Sequence, residues 1–412
     1  MLEKTTLTEC LDKCPGLAGH IARYINDAAE THQPGIALST AIAFIGALRS
    51  DRIVCKQGIA PSIYTCAIAP SGVGKSRSQQ VISDLCAECN LTHLLMGRPA
   101  SDSGILKRLQ EFPRQFLIWD EFGLALSEMS KSSASYRVAI IAMMMDLFSS
   151  AGRVHIGRQY ANQARIDVQK PYLSICAAST PSRFYGALTK DFIDDGFLSR
   201  LLVFESEVSI EFKDPSVLPF PEKLIEQIKR IDQGIPLQSG GDLSMIIDKE
   251  KIVLEFEDEQ DHEILKKNAQ RKIMKATSEV SRIFWSRGYE QAMKLCMIFS
   301  DEFGFCSSRT TVFAWELIEL LIESIIERCT KDIYDTQSDK LQEKRMRKFI
   351  DLIAPGETIS LSEMTKKAFN LGFHKKEKLA KLEDVLENGI WTQITKTSEG
   401  SFRKTTLYSR VK

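Results

Sequence analysis

The sequence predicts a layered α/β domain on a mainly parallel sheet, followed by helices and a small basic tail. Three observations predict it. Short apolar runs rich in β-formers alternate with helical stretches over about the first 210 residues. A glycine-rich turn joins one such run to a helix, the connection that parallel strands need. The composition is that of a globular protein, 43% hydrophobic and 26% charged, and 412 residues suffice for two or three domains.

The elements follow in order. Residues 1–50 form an N-terminal helical segment with "GLAGHIARYINDAAE" and then "ALSTAIAFIGALRS", a run too short to span a bilayer that reads as a buried helix. Residues 51–212 hold the sheet: "PSIYTCAIA", "QFLIWDE", "PYLSICAAST" and "RLLVFESE" are strands, and "KSRSQQVISDLCAECN" and "YRVAIIAMMMDLFSSAG" are helices. "GRVHIGRQYANQARIDVQ" alternates like two strands around a turn. The proline-bearing "FKDPSVLPFPEK" opens a helical region, 213–335, that ends in "TTVFAWELIELLIESIIERCTKDIYD". Residues 338–412 read as three helices and a β-hairpin, "WTQITKT" and "TTLYSRV", the elements of a winged helix.

Charge and cysteine narrow the class. Lys+Arg and Asp+Glu number 54 each, so no global field draws the chain to nucleic acid or membrane. The N-terminus carries acids and no long apolar core, unlike a signal peptide. Ten cysteines scattered through apolar runs suit buried, reduced thiols and a cytoplasmic location. Cys86 and Cys89 form a lone C-x-x-C without a second pair, which reads as two cysteines on a helix.

"APSGVGKS" carries the chemistry. Ala69 stands where the pattern G-x-x-x-x-G-K-[ST] has its first glycine, followed by Pro70, Ser71, Gly72, Val73, Gly74, Lys75 and Ser76. A strand runs in and a helix runs out. Backbone N–H groups of such a turn converge on phosphates, and the helix N-terminus adds positive charge. Lys75 is expected to bridge the β- and γ-phosphates of ATP, and Ser76 to bind Mg²⁺. Ala69 lies at the strand end, where a methyl need not block the cradle.

A second set of residues completes a hydrolytic site. "FLIWDEFG" ends a buried strand in Asp120, expected to hold Mg²⁺ through its water shell, and Glu121, expected to polarise the attacking water. "YLSICAAST" brings Ser179 and Thr180 to the end of a neighbouring strand, and "DDGFLSRLLVFE" puts Arg200 just before another.

The run from "PGLAGHIARYINDAAE" through "APSGVGKS", "FLIWDEFG", "AASTP" and "DGFLSRLLVF" resembles a family of P-loop proteins of prophages and mobile elements, some attached to primase-like modules. "GFLSRLLVF" is also similar to the arginine-finger segment of minichromosome-maintenance and viral superfamily-three helicases. The resemblance implies a P-loop NTPase core of AAA+/ASCE type with a helical lid, assembled as a homo-oligomeric ring, expected to be a hexamer. It implies Arg200 as an arginine finger on the neighbouring subunit's nucleotide, Thr180 (or Ser179) beside the γ-phosphate, and a sensor arginine from the lid, Arg282 or Arg287, with Arg287 preferred. No primase motif is present, so a primer would come from a separate primase.

Two regions are candidates for DNA contact. In the helicases named, a hairpin before the Thr180-type strand points into the ring channel; here Arg158 and Arg165 flank the tip and Tyr160 is placed to stack on a base of single-stranded DNA. An ordinary solvated hairpin is the competing reading. The tail has 16 Lys+Arg against 10 Asp+Glu, a net of +6, and its candidate wing carries Lys396, Arg403 and Lys404, suited to duplex phosphates. Winged helices also bind proteins. The expected function is therefore an ATP-hydrolysing ring motor on DNA, a replicative helicase of a mobile element. The alternative is an ATP-switched assembly factor in transposition or phage defence; a small-molecule kinase fits the Asp120–Glu121 pair and Arg200 less well.

Overall fold

The structure, a computed structural model, describes residues 6–129, 135–159, 165–188, 190–206, 219–233, 251–330, 349–353, 357–370, 382, 386, 391–397 and 404–410. The chain forms two units, Met1–Ile333 and Tyr334–Lys412.

The first unit opens with α1 (Leu7–Lys13), fixed by a reciprocal capping box between Thr6 and Glu9. Helix α2 (Gly16–Asp27) lies on α3 (Pro34–Arg49). Every residue of α3 is buried, as its unbroken apolar run predicts, because it lies against the sheet. After the short β1 (Ile53–Val54) come β2 (Tyr64–Ile68), α4 (Lys75–Glu88), β3 (Leu95–Met96), α5 (Asp102–Glu111), β4 (Arg114–Trp119), α6 (Phe122–Met129) and α7 (Ser135–Ser149). Strands β5 (Val154–His155) and β6 (Val168–Gln169) precede β7 (Tyr172–Ser179), α8 (Pro181–Ala187), α9 (Lys190–Asp194) and β8 (Leu201–Glu205).

Five of these strands form one sheet in the order β3-β4-β7-β2-β8, all parallel. β2 and β7 are buried along their whole length, the signature of a sheet covered on both faces. The edge strand β3 was not foreseen: two residues are too few for a periodic signal.

The helices that follow are α10 (Glu222–Gln233), α11 (Glu259–Lys275), α12 (Glu279–Trp285), α13 (Gly288–Phe299) and α14 (Ser308–Cys329). Among them, β9 (Ile252–Val253) pairs with β1, and β10 (Glu255–Phe256) with β11 (Phe305–Cys306). The segments read as 1–50, 51–212 and 213–335 pack as one unit. α13 lies on α3 and α14 runs along β8. The Arg49 guanidinium, 3% exposed, joins them by donating to the Ser300 carbonyl at 2.7 Å and the Asp301 carbonyl at 2.7 Å.

The second unit contains β12 (Thr358–Ser360), α15 (Leu361–Asn370), β13 (Trp391–Thr397) and β14 (Lys404–Arg410). The hairpin expected at "WTQITKT" and "TTLYSRV" pairs β13 with β14, and β12 adds on the other side of β14. Phe349, Ile353, Met364, Trp391 and Tyr408 form its core. Most of the two other expected helices lies outside the described residues. Among the described residues no helix is long and apolar enough to cross a membrane.

Candidate nucleotide site at the carboxyl edge of the sheet

The residues expected to form a phosphate loop lie between β2 and α4. Gly72 and Gly74 have φ of +82° and +86°, which glycine adopts without strain. A Cβ added at either would meet nothing within 4 Å, so the backbone faces open space where a phosphate cradle needs it. Ser71, Gly72 and Ser76 are exposed. Ala69 is fully buried, its methyl in an apolar cluster with Ile36, Ala67 and Val73. The departure from glycine therefore points into the core and leaves the cradle clear.

Lys75 folds back over the loop and donates to the carbonyls of Ala69 at 2.8 Å and Pro70 at 2.7 Å. Burial lowers its pKa, and the charges of Asp120 and Glu121 push it back up. That opposition places both carboxylates within electrostatic reach of the ammonium.

Strand register explains the convergence. Ile68 of β2 pairs with Ser179 of β7, and Trp119 of β4 with Ala177, so the three strands end within two residues of one another. β7 separates β2 from β4, so the loop and the acids stand two strand spacings apart, about 10 Å. Asp120 and Glu121 are both exposed. Glu121 has φ +52°, left-handed backbone that costs a side-chain-bearing residue about 1–2 kcal/mol. Asp120 Oδ1 stabilises the turn by accepting from the Glu121 N–H at 2.9 Å, and the Glu121 carbonyl starts α6 by accepting from Leu124 at 3.0 Å.

Ser179 and Thr180 divide their tasks. Ser179 is buried, and its hydroxyl accepts from the Gly123 N–H at 3.1 Å, tying α6 to β7. Thr180 is the N-cap of α8 but makes no side-chain capping bond, so its hydroxyl is the one left at the strand end. The close approach explains Gly123. An added Cβ would stand 2.4 Å from Ser179 Oγ and 2.8 Å from the backbone of Arg183 and Phe184. Gly123→Ala is expected to lower unfolding stability by about 1–3 kcal/mol, read from urea denaturation.

Arg200 lies at the other end of the sheet. It precedes Leu201, which pairs with Tyr64 at the start of β2, whereas Glu205 pairs with Ile68 beside the loop. Five residues of strand, about 16 Å, separate Arg200 from the level of the Lys75 loop, so it does not reach that loop of its own chain. Its guanidinium donates to the Gly196 carbonyl at 2.7 Å and to Ser149 Oγ at 3.4 Å, and its Nε is buried without a partner. Burial and the neighbouring Arg287 lower its pKa.

Arg287, expected as a sensor at the phosphates, is instead beside Arg200, bonded to Glu290 at 2.8 Å. The reason is its helix. Gln291 of α13 donates to the Arg200 carbonyl at 3.0 Å and Lys294 to the Ser62 carbonyl at 2.8 Å, which ties α13 to the amino edge of the sheet. Lys294 is 1% exposed, 3.3 Å from the centroid of the Phe148 ring, and burial pushes its pKa down to about 8. Burial pushes the Glu290 carboxyl up, but Lys294 and Arg287 outweigh it and hold it below the usual range. Sequence reading missed this network, although a lysine inside the apolar "AMKLCMIF" was its signal. Arg282 is exposed on α12.

The hairpin candidates are held by their own chain. β5 and β6 pair at the hairpin base, as the alternation predicts. Arg158 lies 3.6 Å from Asp102, and Arg165 donates to Asp167 at 2.6 Å. Tyr160 lies outside the described residues, as does Arg403. Lys396 and Lys404 fall at the turn end of β13 and β14, where Thr397 pairs with Lys404.

Cys86 is buried on α4 and Cys89 is its C-cap; both are free thiols. No cluster of three or more His, Cys, Asp or Glu side chains gathers among the described residues. Mg²⁺ needs none, since it takes one or two protein ligands with phosphate and water. No protein-family model matches this chain, and the search of curated proteins found no match.

Proposed function

We propose that this protein is an ATP-hydrolysing ring motor that acts on DNA, with a P-loop core of ASCE type. The observation that carries the reading is the meeting of the Lys75 loop, Thr180 and the Asp120–Glu121 pair at the carboxyl ends of three adjacent parallel strands. Ligands of open parallel sheets bind at that edge.

The open backbone at Gly72 and Gly74 fits a triphosphate. Lys75 exchanges its two carbonyl partners for phosphate oxygens. Ser76 and Asp120 are the residues that would hold Mg²⁺, which would neutralise phosphate charge when bound. The two-strand gap leaves room for a water between Glu121 and the γ-phosphate, where the carboxylate takes the water's proton. Thr180 orients that water from the intervening strand. Arg200, too far from its own cradle, acts on the nucleotide of a neighbouring subunit, with Arg287 beside it on the same edge. The amino-edge hairpin and the basic second unit supply DNA contacts.

Lys75→Ala tests the site directly: binding of a fluorescent ATP analogue should fall about 100-fold or more, and unchanged affinity would contradict the phosphate role. The DNA reading has its own test. Wild-type ATPase activity should rise with single-stranded DNA, steeply less so as salt increases. Charge reversal of Arg158 and Arg165 should remove the stimulation and leave basal hydrolysis. The ion pairs with Asp102 and Asp167 do not preclude contact, since both arginines lie at the surface, where water and salt screen such pairs. They do favour a second reading, an ATP-switched assembly factor. Hydrolysis without strand displacement on forked DNA would select it.

A further inference from the structure

We infer that Gln33 reads the adenine base, so that this site selects ATP over other purine triphosphates; the inference rests on the nucleotide reading above. Gln33 precedes α3 and is 2% exposed, yet neither its Nε2 nor its Oε1 has a hydrogen-bond partner. An amide buried with both ends unpaired is rare and costly, and calls for an explanation.

Its position supplies one. Two residues before it, the Thr31 hydroxyl donates to the Val73 carbonyl of the phosphate loop at 3.1 Å. Three residues after it, Ile36 packs with Ala69 and Val73. Gln33 is therefore held against the loop that cradles the phosphates. Its backbone is fixed too: the Gln33 N–H donates to Asn26 Oδ1 at 2.9 Å. Freedom remains only in the side chain, and in the proposed complex its amide turns to a base laid beside the loop.

A second orphan lies next to it. Ser206 follows β8 and bonds its N–H to the Ile68 carbonyl at 2.8 Å, at the root of the loop. Its hydroxyl is buried, has no partner, and would stand 2.6 Å from a Cβ added at Gly35. Two unpaired polar side chains thus flank the loop root.

The chemistry matches adenine. An amide offers a donor and an acceptor side by side, and adenine presents N6–H₂ as donor beside N7 as acceptor, so the pair is bidentate. On that same edge guanine and hypoxanthine present two acceptors, O6 and N7, and leave the Gln33 oxygen unpaired. A site built to hydrogen-bond a group rejects an analogue lacking it.

Equilibrium binding of ATP, GTP and ITP to the full chain tests this, with Gln33→Leu as the variant. The wild type should bind ATP at least 10-fold more tightly than ITP or GTP. Gln33→Leu should lose about 10-fold in ATP affinity, keep its ITP affinity, and melt no lower than wild type without nucleotide, since the substitution removes an unpaired buried amide. Equal wild-type affinity for ATP and ITP overturns the inference whatever the variant does. So does a Gln33→Leu protein that keeps the wild-type preference. A variant that loses ATP and ITP affinity equally also overturns it, by making Gln33 structural. If the wild type binds none of the three, the nucleotide reading itself fails, and this inference with it.

Discussion

Glu121→Gln should bind ATP with wild-type affinity and lose turnover by about 10²–10⁴-fold, the range of a positioned general base. The substitution keeps size and hydrogen-bonding reach but removes the carboxylate proposed to accept the water's proton. Its neighbourhood makes the prediction specific. Glu121 is exposed at the end of β4, within electrostatic reach of Lys75, on left-handed backbone that the Asp120 carboxylate braces. Strain kept at such a point is spent on aiming a side chain. Turnover at the wild-type rate in a single-turnover assay would remove Glu121 from the chemistry.

Arg200→Ala should bind ATP nearly normally, assemble, and lose about 10³-fold or more in turnover, the scale of an arginine finger. Arg200 sits at the amino edge of the sheet, so any action on a phosphate is on a neighbour's. Mixing follows from that geometry. On the proposed reading, Lys75→Ala keeps Arg200 and lacks a working cradle, and Arg200→Ala keeps the cradle and lacks the finger. Where the two sit side by side, one complete site forms, so the mixture should hydrolyse ATP although neither variant does alone. No recovery at any ratio, with mixed assemblies confirmed by pull-down, would make Arg200 a structural residue that holds Gly196 and Ser149.

What the sequence made legible follows the range of the interactions. The strand at "PYLSICAAST", the buried helix α3 and the turn at Gly72 and Gly74 declare themselves through local pattern. The placing of Asp120 and Glu121 near Lys75 was readable because a strand end and a glycine-rich turn have few ways to meet in a parallel sheet. Arg287 was not readable. Nothing local says that α13 is tied to the amino edge of the sheet through Ser62 and the Arg200 carbonyl. The split between Ser179 and Thr180 likewise depends on Gly123, 56 residues earlier in the chain. Separate two-stranded pairs such as β1 with β9 and β10 with β11 span two residues each and leave no periodic trace.

Phosphate release from ATP by the purified full chain, measured against protein concentration with and without Mg²⁺, tests the central claim most directly. On the proposed reading an isolated chain would offer a phosphate cradle, residues for Mg²⁺ and a water-activating carboxylate, but its arginine stands about 16 Å away along the strand. Specific activity should therefore rise with concentration as assemblies form, and vanish when Mg²⁺ is chelated. Activity per chain that stays constant from dilute monomer to concentrated protein would contradict the shared site. No phosphate release at any concentration would contradict the ATPase itself.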